Sequence, residues 1–240
     1  MRHTLLAVSA MLLVAACSPA PAPTPAPPAA KPAPVATPAA EVPAPLEAGT
    51  ATPVVENWEL PGDLGPLTTQ AQLEARFGKA NLREETFDGA EGMGTYPVLV
   101  AFPDDPAKRL ELLLDADNKD APIQELRVTG TESKWHDATG LRPGMTLAEL
   151  VKLNGAPVSF YGLAWDYGGT VQDWHGGKLS NAVGTPLFRR VTLTARTGAD
   201  DNALPQGDAT FRSDDPKWAN AVKDMIVGEL GISWPHEGED

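Results

Sequence analysis

Few side chains in this sequence are typed and spaced for chemistry. His136, His175 and His236 could exchange protons near neutral pH, but they lie far apart and none forms a His-x-x-x-His pair. Cys17 is the only cysteine, so no zinc-ligand set can be assembled from Cys and His spacing. Sequence order leaves a Ser-His-Asp arrangement open, yet no Gly-x-Ser-x-Gly elbow presents a serine on a strained turn. Glu84-Glu85 and Asp104-Asp105 are adjacent carboxylates, and neighbours on an extended chain point to opposite faces, which makes poor acid–base couples. Asp115-Ala-Asp117-Asn118-Lys119-Asp120 gathers oxygen ligands. A calcium loop, however, needs an oxygen ligand, a glycine and a glutamate where Lys119, Asp120 and Leu126 stand, so a hairpin turn is expected. Asp200-Asp201-Asn202 and Ser213-Asp214-Asp215 read as turn and cap residues. No metal, cofactor or catalytic residue is expected. What remains is the aromatic segment from Phe160 to Gly177, with Tyr161, Trp165, Tyr167, Trp174 and His175. Such rings suit either a sheet core or a recognition surface. Most of the segment is expected in the core, with Tyr167, Trp174 and His175 outside as the binding residues. The diglycines 168–169 and 176–177 read as turns.

The elements that would position these residues show an internal repeat. Thr69-Gln-Ala-Gln72-Leu73 through Gly78 is echoed 77 positions later by Thr146-Leu-Ala-Glu149-Leu150 through Gly155. Each copy opens with a capping box, in which the Thr side chain takes the N3 amide and the N3 side chain reaches back. Each closes on a glycine placed for a left-handed C′ residue. Met145 and Leu150 add a hydrophobic staple. After each helix the pattern turns to period two. Strands are expected over 82–87, 96–102, 109–114 and 123–128, then over 158–163, 170–174, 188–196 and 226–234. A short helix capped by Asp215, with Pro216 at N1, should precede the last strand. The fold class is therefore α+β: two tandem repeats, 54–132 and 133–240, each a short helix followed by an antiparallel β-meander. Neither buries a face alone, so the two should share a core.

Gly144-Met-Thr-x-x-Glu149 followed by Asn154-Gly-x-Pro157 resembles the helix-plus-sheet module of two secreted groups. One is the small lipoprotein of the outer-membrane barrel-assembly machinery; the other, the β-lactamase inhibitor proteins, carries that module in tandem. The likeness is strongest over 140–157 and weaker over 67–80. It implies a binding module on an exported protein, or by fold analogy a protein inhibitor. A ligand-binding protein or hydrolase with a cleft between the repeats is the alternative.

The N-terminus bears on location. Arg2 and His3 precede an apolar run from Leu5 to Ala16, whose twelve residues span about 18 Å as a helix. That is well short of a bilayer core of roughly 30 Å, so residues 1–16 read as a signal peptide. Val14-Ala15-Ala16-Cys17 resembles the bacterial lipobox, which implies diacylglycerol on the Cys17 thiol, cleavage before it and acylation (commonly palmitate) of the new amine. Ser18 at the next place implies sorting to the outer membrane, facing the periplasm. Twelve of the 24 prolines fall in 18–53, alternating with alanine, so 17–53 reads as a disordered tether favouring polyproline II. At about 3.1 Å per residue its reach is roughly 110 Å. Val54 to Asp240 holds 17 basic and 30 acidic residues, a net charge of −13. So acidic a domain argues against nucleic acid and against an electrostatic grip on anionic lipid, and permits a basic partner protein. With the lipobox, the spacer and the module resemblance, the expected partner is another envelope protein.

Overall fold

The computed structural model describes residues 57–115, 122–181 and 186–234. The leader over 1–16, Cys17, the tether over 17–53, Asp117 to Asp120 and His236 lie outside the described residues. The chain is mixed α+β with antiparallel main sheets. In order the elements are β1 (Glu59–Leu60), α1 (Gln70–Phe77), β2 (Leu82–Asp88), β3 (Thr95–Ala101), β4 (Leu110–Leu114), β5 (Ile123–Thr129) and β6 (His136–Asp137). There follow α2 (Leu147–Asn154), β7 (Ser159–Tyr161), β8 (Val171–Asp173), β9 (Phe188–Ala195), β10 (Thr210–Arg212) and β11 (Met225–Ser233).

Both helices begin where the capping boxes place them. Gln72 N–H donates to Thr69 Oγ1 at 3.3 Å while Thr69 N–H donates to Gln72 Oε1 at 2.8 Å. In α2 the reciprocal bonds are Glu149 N–H to Thr146 Oγ1 at 3.2 Å and Thr146 N–H to Glu149 Oε2 at 2.8 Å. Leu73 and Phe77 of α1 and Leu147 and Leu150 of α2 are buried, at helical spacing. Gly155 ends α2 in the expected left-handed conformation. Gly78 does not: its φ is 81° but its ψ is 132°, because the chain passes straight into a 3-10 turn over Lys79–Asn81. Asp215 caps a single 3-10 turn, Pro216–Trp218, with its carboxylate taking Lys217 N–H at 2.9 Å.

Six strands form one antiparallel sheet in the order β2-β3-β4-β5-β11-β9. The first four follow α1 as a meander. The second half departs from that pattern: β7 pairs with β8 and β10 in a separate three-stranded sheet, and β9 and β11 join the sheet of the first half. The apolar registers account for the capture of β11. Leu230 lies opposite Val128 and Val191, and Ile232 lies opposite Leu126, so one buried face continues across the junction. Leu99, Leu112 and Leu126 extend that face through β3, β4 and β5. The helices and sheets share a single hydrophobic core, which includes Trp135, Phe160 and Trp174. The two-residue pair β1-β6 and the strand β10 have no period-two signal long enough to be read from sequence.

Midway along β11, Gly228 forms a β-bulge: Val227 sits opposite Leu193 and Glu229 opposite Thr192. The bulge falls where the strand changes partner. Beyond it Glu229 begins the ladder with Thr129 of β5. Before it, Val227 exchanges hydrogen bonds with the segment leading into α2, donating to Met145 O at 2.7 Å and accepting from Gly144 N–H at 2.8 Å. The outer edge of β9 is also occupied. The Asn181 side chain bonds both backbone groups of Arg189, at 2.9 Å each, and Leu193 N–H donates to Gly169 O at 2.8 Å.

Thr146→Ala removes the α2 cap and should lower unfolding free energy by about 1 kcal/mol, read from urea midpoints; an unchanged midpoint would contradict the cap's role. The Thr146 backbone N–H, then its hydroxyl, holds the Glu149 carboxyl below its ordinary 4.5. A depressed folded value means that stability is present above about pH 4.5 and lost as pH falls through the folded value. Glu149→Gln keeps an acceptor without that titration. The wild-type advantage over Glu149→Gln should therefore shrink on acidification from pH 7 to 3.

Candidate binding groove on the outer sheet face

Alternation along the strands puts a second set of side chains on the face of the six-stranded sheet away from the core. Salt bridges cross it from strand to strand. Arg109 reaches Glu85 at 2.8 Å and Glu111 at 3.1 Å, and Arg127 reaches Glu111 at 2.8 Å and Glu229 at 3.9 Å. Arg190 then bonds both Glu229 and Glu125. The Arg109 guanidinium holds the Glu85 carboxyl below the usual range, against a partial desolvation that pushes it up. Burial alone would lower Arg127, but bonds to Tyr96 and Glu111 and the charge of Glu229 outweigh it and raise its proton affinity. Each charge is thus answered within the row, and the row works as a fixed floor.

Two depressions lie along this floor. One, of about 500 Å³, is lined by Phe87, Asp88, Tyr96, Glu111 and Arg127. The other, of about 580 Å³, is walled by Trp165, Leu163 and Gln206 on one side and by Thr192, Thr194 and Gly228 on the other. Thr129 and Glu229 line both, so the two adjoin at the seam of β5 and β11.

The aromatic wall is held in place by backbone. Leu163 N–H donates to Pro205 O at 2.8 Å and Gly207 N–H returns to Leu163 O at 2.9 Å, which ties the loop after β7 to the loop before β10. Ala164 then takes a φ of 67°, a conformation that non-glycine residues rarely adopt, and turns the chain outward. The Trp165 indole N–H donates to Gly162 O at 3.0 Å. Its ring meets Tyr161 and Tyr167 edge to face, with centroids 5.2 and 5.3 Å away. At Gly169 the loop closes on β9: a Cβ there would lie 1.9 Å from Leu193 O, and φ is +79°. Only glycine fits that approach.

Comparison with known protein families, curated proteins and solved structures finds no match to this chain. The candidate site therefore rests on geometry.

The three expected binding residues separate. Tyr167 is 47% exposed, beside Trp165 at 36%. Trp174 was expected on the surface and is instead buried, 7% exposed. The buried Asn154 Nδ2 donates to Trp174 O at 2.9 Å, so the backbone is drawn against the end of α2 and the ring turns into the core. His175 is half-buried and serves a different surface. Its Nε2 lies 2.8 Å from Ser159 Oγ, and its Nδ1 lies 3.4 Å from an Asp173 oxygen. These are nucleophile, base and orienting carboxylate in the order an acyl-transfer triad uses. Access is missing, however. Ser159 is 6% exposed, and Arg212 Nη1 lies 3.2 and 3.4 Å from the two ring nitrogens, stacked on His175 and pinned by Asp214 at 2.9 and 3.0 Å. Since Arg212, Ser159 and Asp173 are register neighbours across β10, β7 and β8, the cluster fastens that small sheet.

Sequence reading missed Trp165, Asp201, Gln206 and Glu229 as wall and floor. The available signal was the Asp-x-Gly-Gly turn after Trp165, which sets that ring at a loop tip. Among the described residues, no group of three or more His, Cys, Asp or Glu stands close enough to hold a metal ion.

Gly169→Ala should lower unfolding free energy by more than about 2 kcal/mol and red-shift Trp165 emission as the loop leaves β9; native emission and stability together would refute the clamp. A fluorophosphonate probe should leave Ser159 unlabelled, and stoichiometric labelling by mass spectrometry would overturn the fastening role.

Proposed function

We propose that the protein is a non-enzymatic envelope lipoprotein whose folded domain binds another envelope protein, in a scaffold or assembly role. The observation that carries this reading is the pairing of exposed Trp165 and Tyr167 with a groove whose floor is already electrostatically satisfied. Aromatic rings fixed at the edge of a preformed groove present large area at small entropic cost, the composition that protein interfaces favour. Anchoring follows from the lipobox-like Val14-Ala15-Ala16-Cys17 and the Pro/Ala segment behind it. With an acyl anchor at Cys17 in the outer membrane, the domain would work in the periplasm within the reach of its tether.

We also read the two halves as copies of one helix-plus-sheet unit. Supporting this are the matching capping boxes at Thr69 and Thr146 and the strands after each helix. In this reading the second copy has given two strands to the sheet of the first, and the groove lies where that transfer occurs.

Two measurements test the proposal. Cys17→Ser should move the protein from the membrane pellet to the soluble fraction, and retention in the pellet would refute lipid anchoring. A photo-crosslinking residue at Tyr167 in intact envelopes should capture one discrete partner, identified by mass spectrometry. Only a diffuse set of abundant neighbours, equal to that captured from Lys79 in the 3-10 turn after α1, would sink the binding role.

A further inference from the structure

Five of the fifteen aromatic rings in this domain carry a cation of their own. Arg76 lies over Phe77, Lys108 over Phe102, Arg127 over Phe87, Lys134 over Trp58 and Lys217 over Trp218, with 4.6 to 5.9 Å to the ring centroids. Among the described residues none stands over Trp165 or Tyr167, the exposed pair at the groove. The chain around them explains this: 161–177 and 197–211 contain no Lys or Arg, yet carry Asp166, Asp173, Asp200, Asp201 and Asp208.

The groove beside Trp165 keeps that bias. Its lining has no basic residue and two acidic ones. Glu229 is engaged by Arg190 and Arg127, whereas Asp201 forms no salt bridge among the described residues. Gln206 stands next to it, its amide held by Asp201 O at 2.8 Å. An indole face, a carboxylate with no salt bridge among the described residues and threonines around a preformed recess suit one kind of group, a cation on a partly apolar stem.

Resting on the binding reading above, we propose that the groove receives an arginine or lysine side chain of the protein partner. The cation would lie over Trp165, its charge would be met by Asp201, and its methylenes would pack along the Leu163–Ala164 wall. Charge complementarity selects this occupant: with a net charge of −13 the domain repels acidic surfaces and steers basic ones toward the groove. Arginine fits better than lysine, because a planar guanidinium can stack on the indole and fork onto a carboxylate at once.

The test uses the full chain with ¹⁵N-labelled tryptophan and two blocked tripeptides, acetyl-Gly-Arg-Gly-amide and its neutral citrulline counterpart. Titration followed by NMR should shift the Trp165 indole signal saturably with the arginine peptide, on the order of millimolar affinity, and leave it in place with citrulline. Asp201→Asn, at an exposed position, should weaken the arginine response roughly tenfold with an unchanged melting curve. Added salt should weaken it too. Equal shifts with both peptides, or no shift with either, would overturn the inference. Crosslinking from position 167 separates the two levels. A partner captured equally by wild type and Asp201→Asn leaves the binding role standing and removes the cation site. Loss of any discrete partner removes the binding role itself.

Discussion

The strand β11 is the constraint on which the rest of the molecule depends. It comes last among the described elements, yet it lies inside the sheet, hydrogen-bonded to β5 on one side and β9 on the other. Until it is inserted, the meander of the first half ends at β5 with an unpaired edge, and Leu126 and Val128 lack the neighbours that complete the buried face. The β5 and β11 partners are about a hundred positions apart, so the loop-closure cost must be met before their contacts are made. The same strand supplies Gly228 and Glu229, which places the groove floor at the seam between the halves.

That seam explains what could and could not be read from sequence. The helices were legible because a capping box is local: Thr69 with Gln72 and Thr146 with Glu149 need only their own turn. Eight strands stand within one or two residues of the expected bounds: six of five residues or more, legible from their apolar positions, and β7 and β8, three residues each, as the middles of longer expected runs. Pairing between them is not local. Nothing within 225–233 says that its partner is β5 rather than β8, since the choice follows from aligning Leu230 with Val128 and Ile232 with Leu126. The two-residue pieces β1 and β6 are too short for any period to register, and β10 has a single apolar residue, Phe211, between Thr210 and Arg212.

The site was legible in composition and not in direction. Aromatics and glycines marked 160–177 as unusual, but which ring faces outward was decided elsewhere. Trp174 is internal because Asn154, twenty positions earlier, bonds its carbonyl; Trp165 is external because Ala164 takes a left-handed turn and Gly169 abuts Leu193. In each case the deciding atom is backbone, which side-chain patterns do not report. Asp201 and Glu229 join the groove only through tertiary pairing, Asp201 through the Leu163–Gln206 bridge and Glu229 through the bulge.

The two margins of the six-stranded sheet are treated differently. Along β9 the backbone is covered by the Asn181 amide, which imitates a neighbouring strand, and by the Gly169 carbonyl. Along β2 the margin carries Arg83, Glu84, Glu85 and Asp88. Bare strand margins recruit one another, and charge or coverage is how natural sheets avoid it. If the chain is lipid-anchored as proposed, copies on one membrane surface would meet at local concentrations far above those in free solution. With one margin occupied and the other charged, such crowding would leave the copies as separate molecules and would not zip them into a continuous sheet.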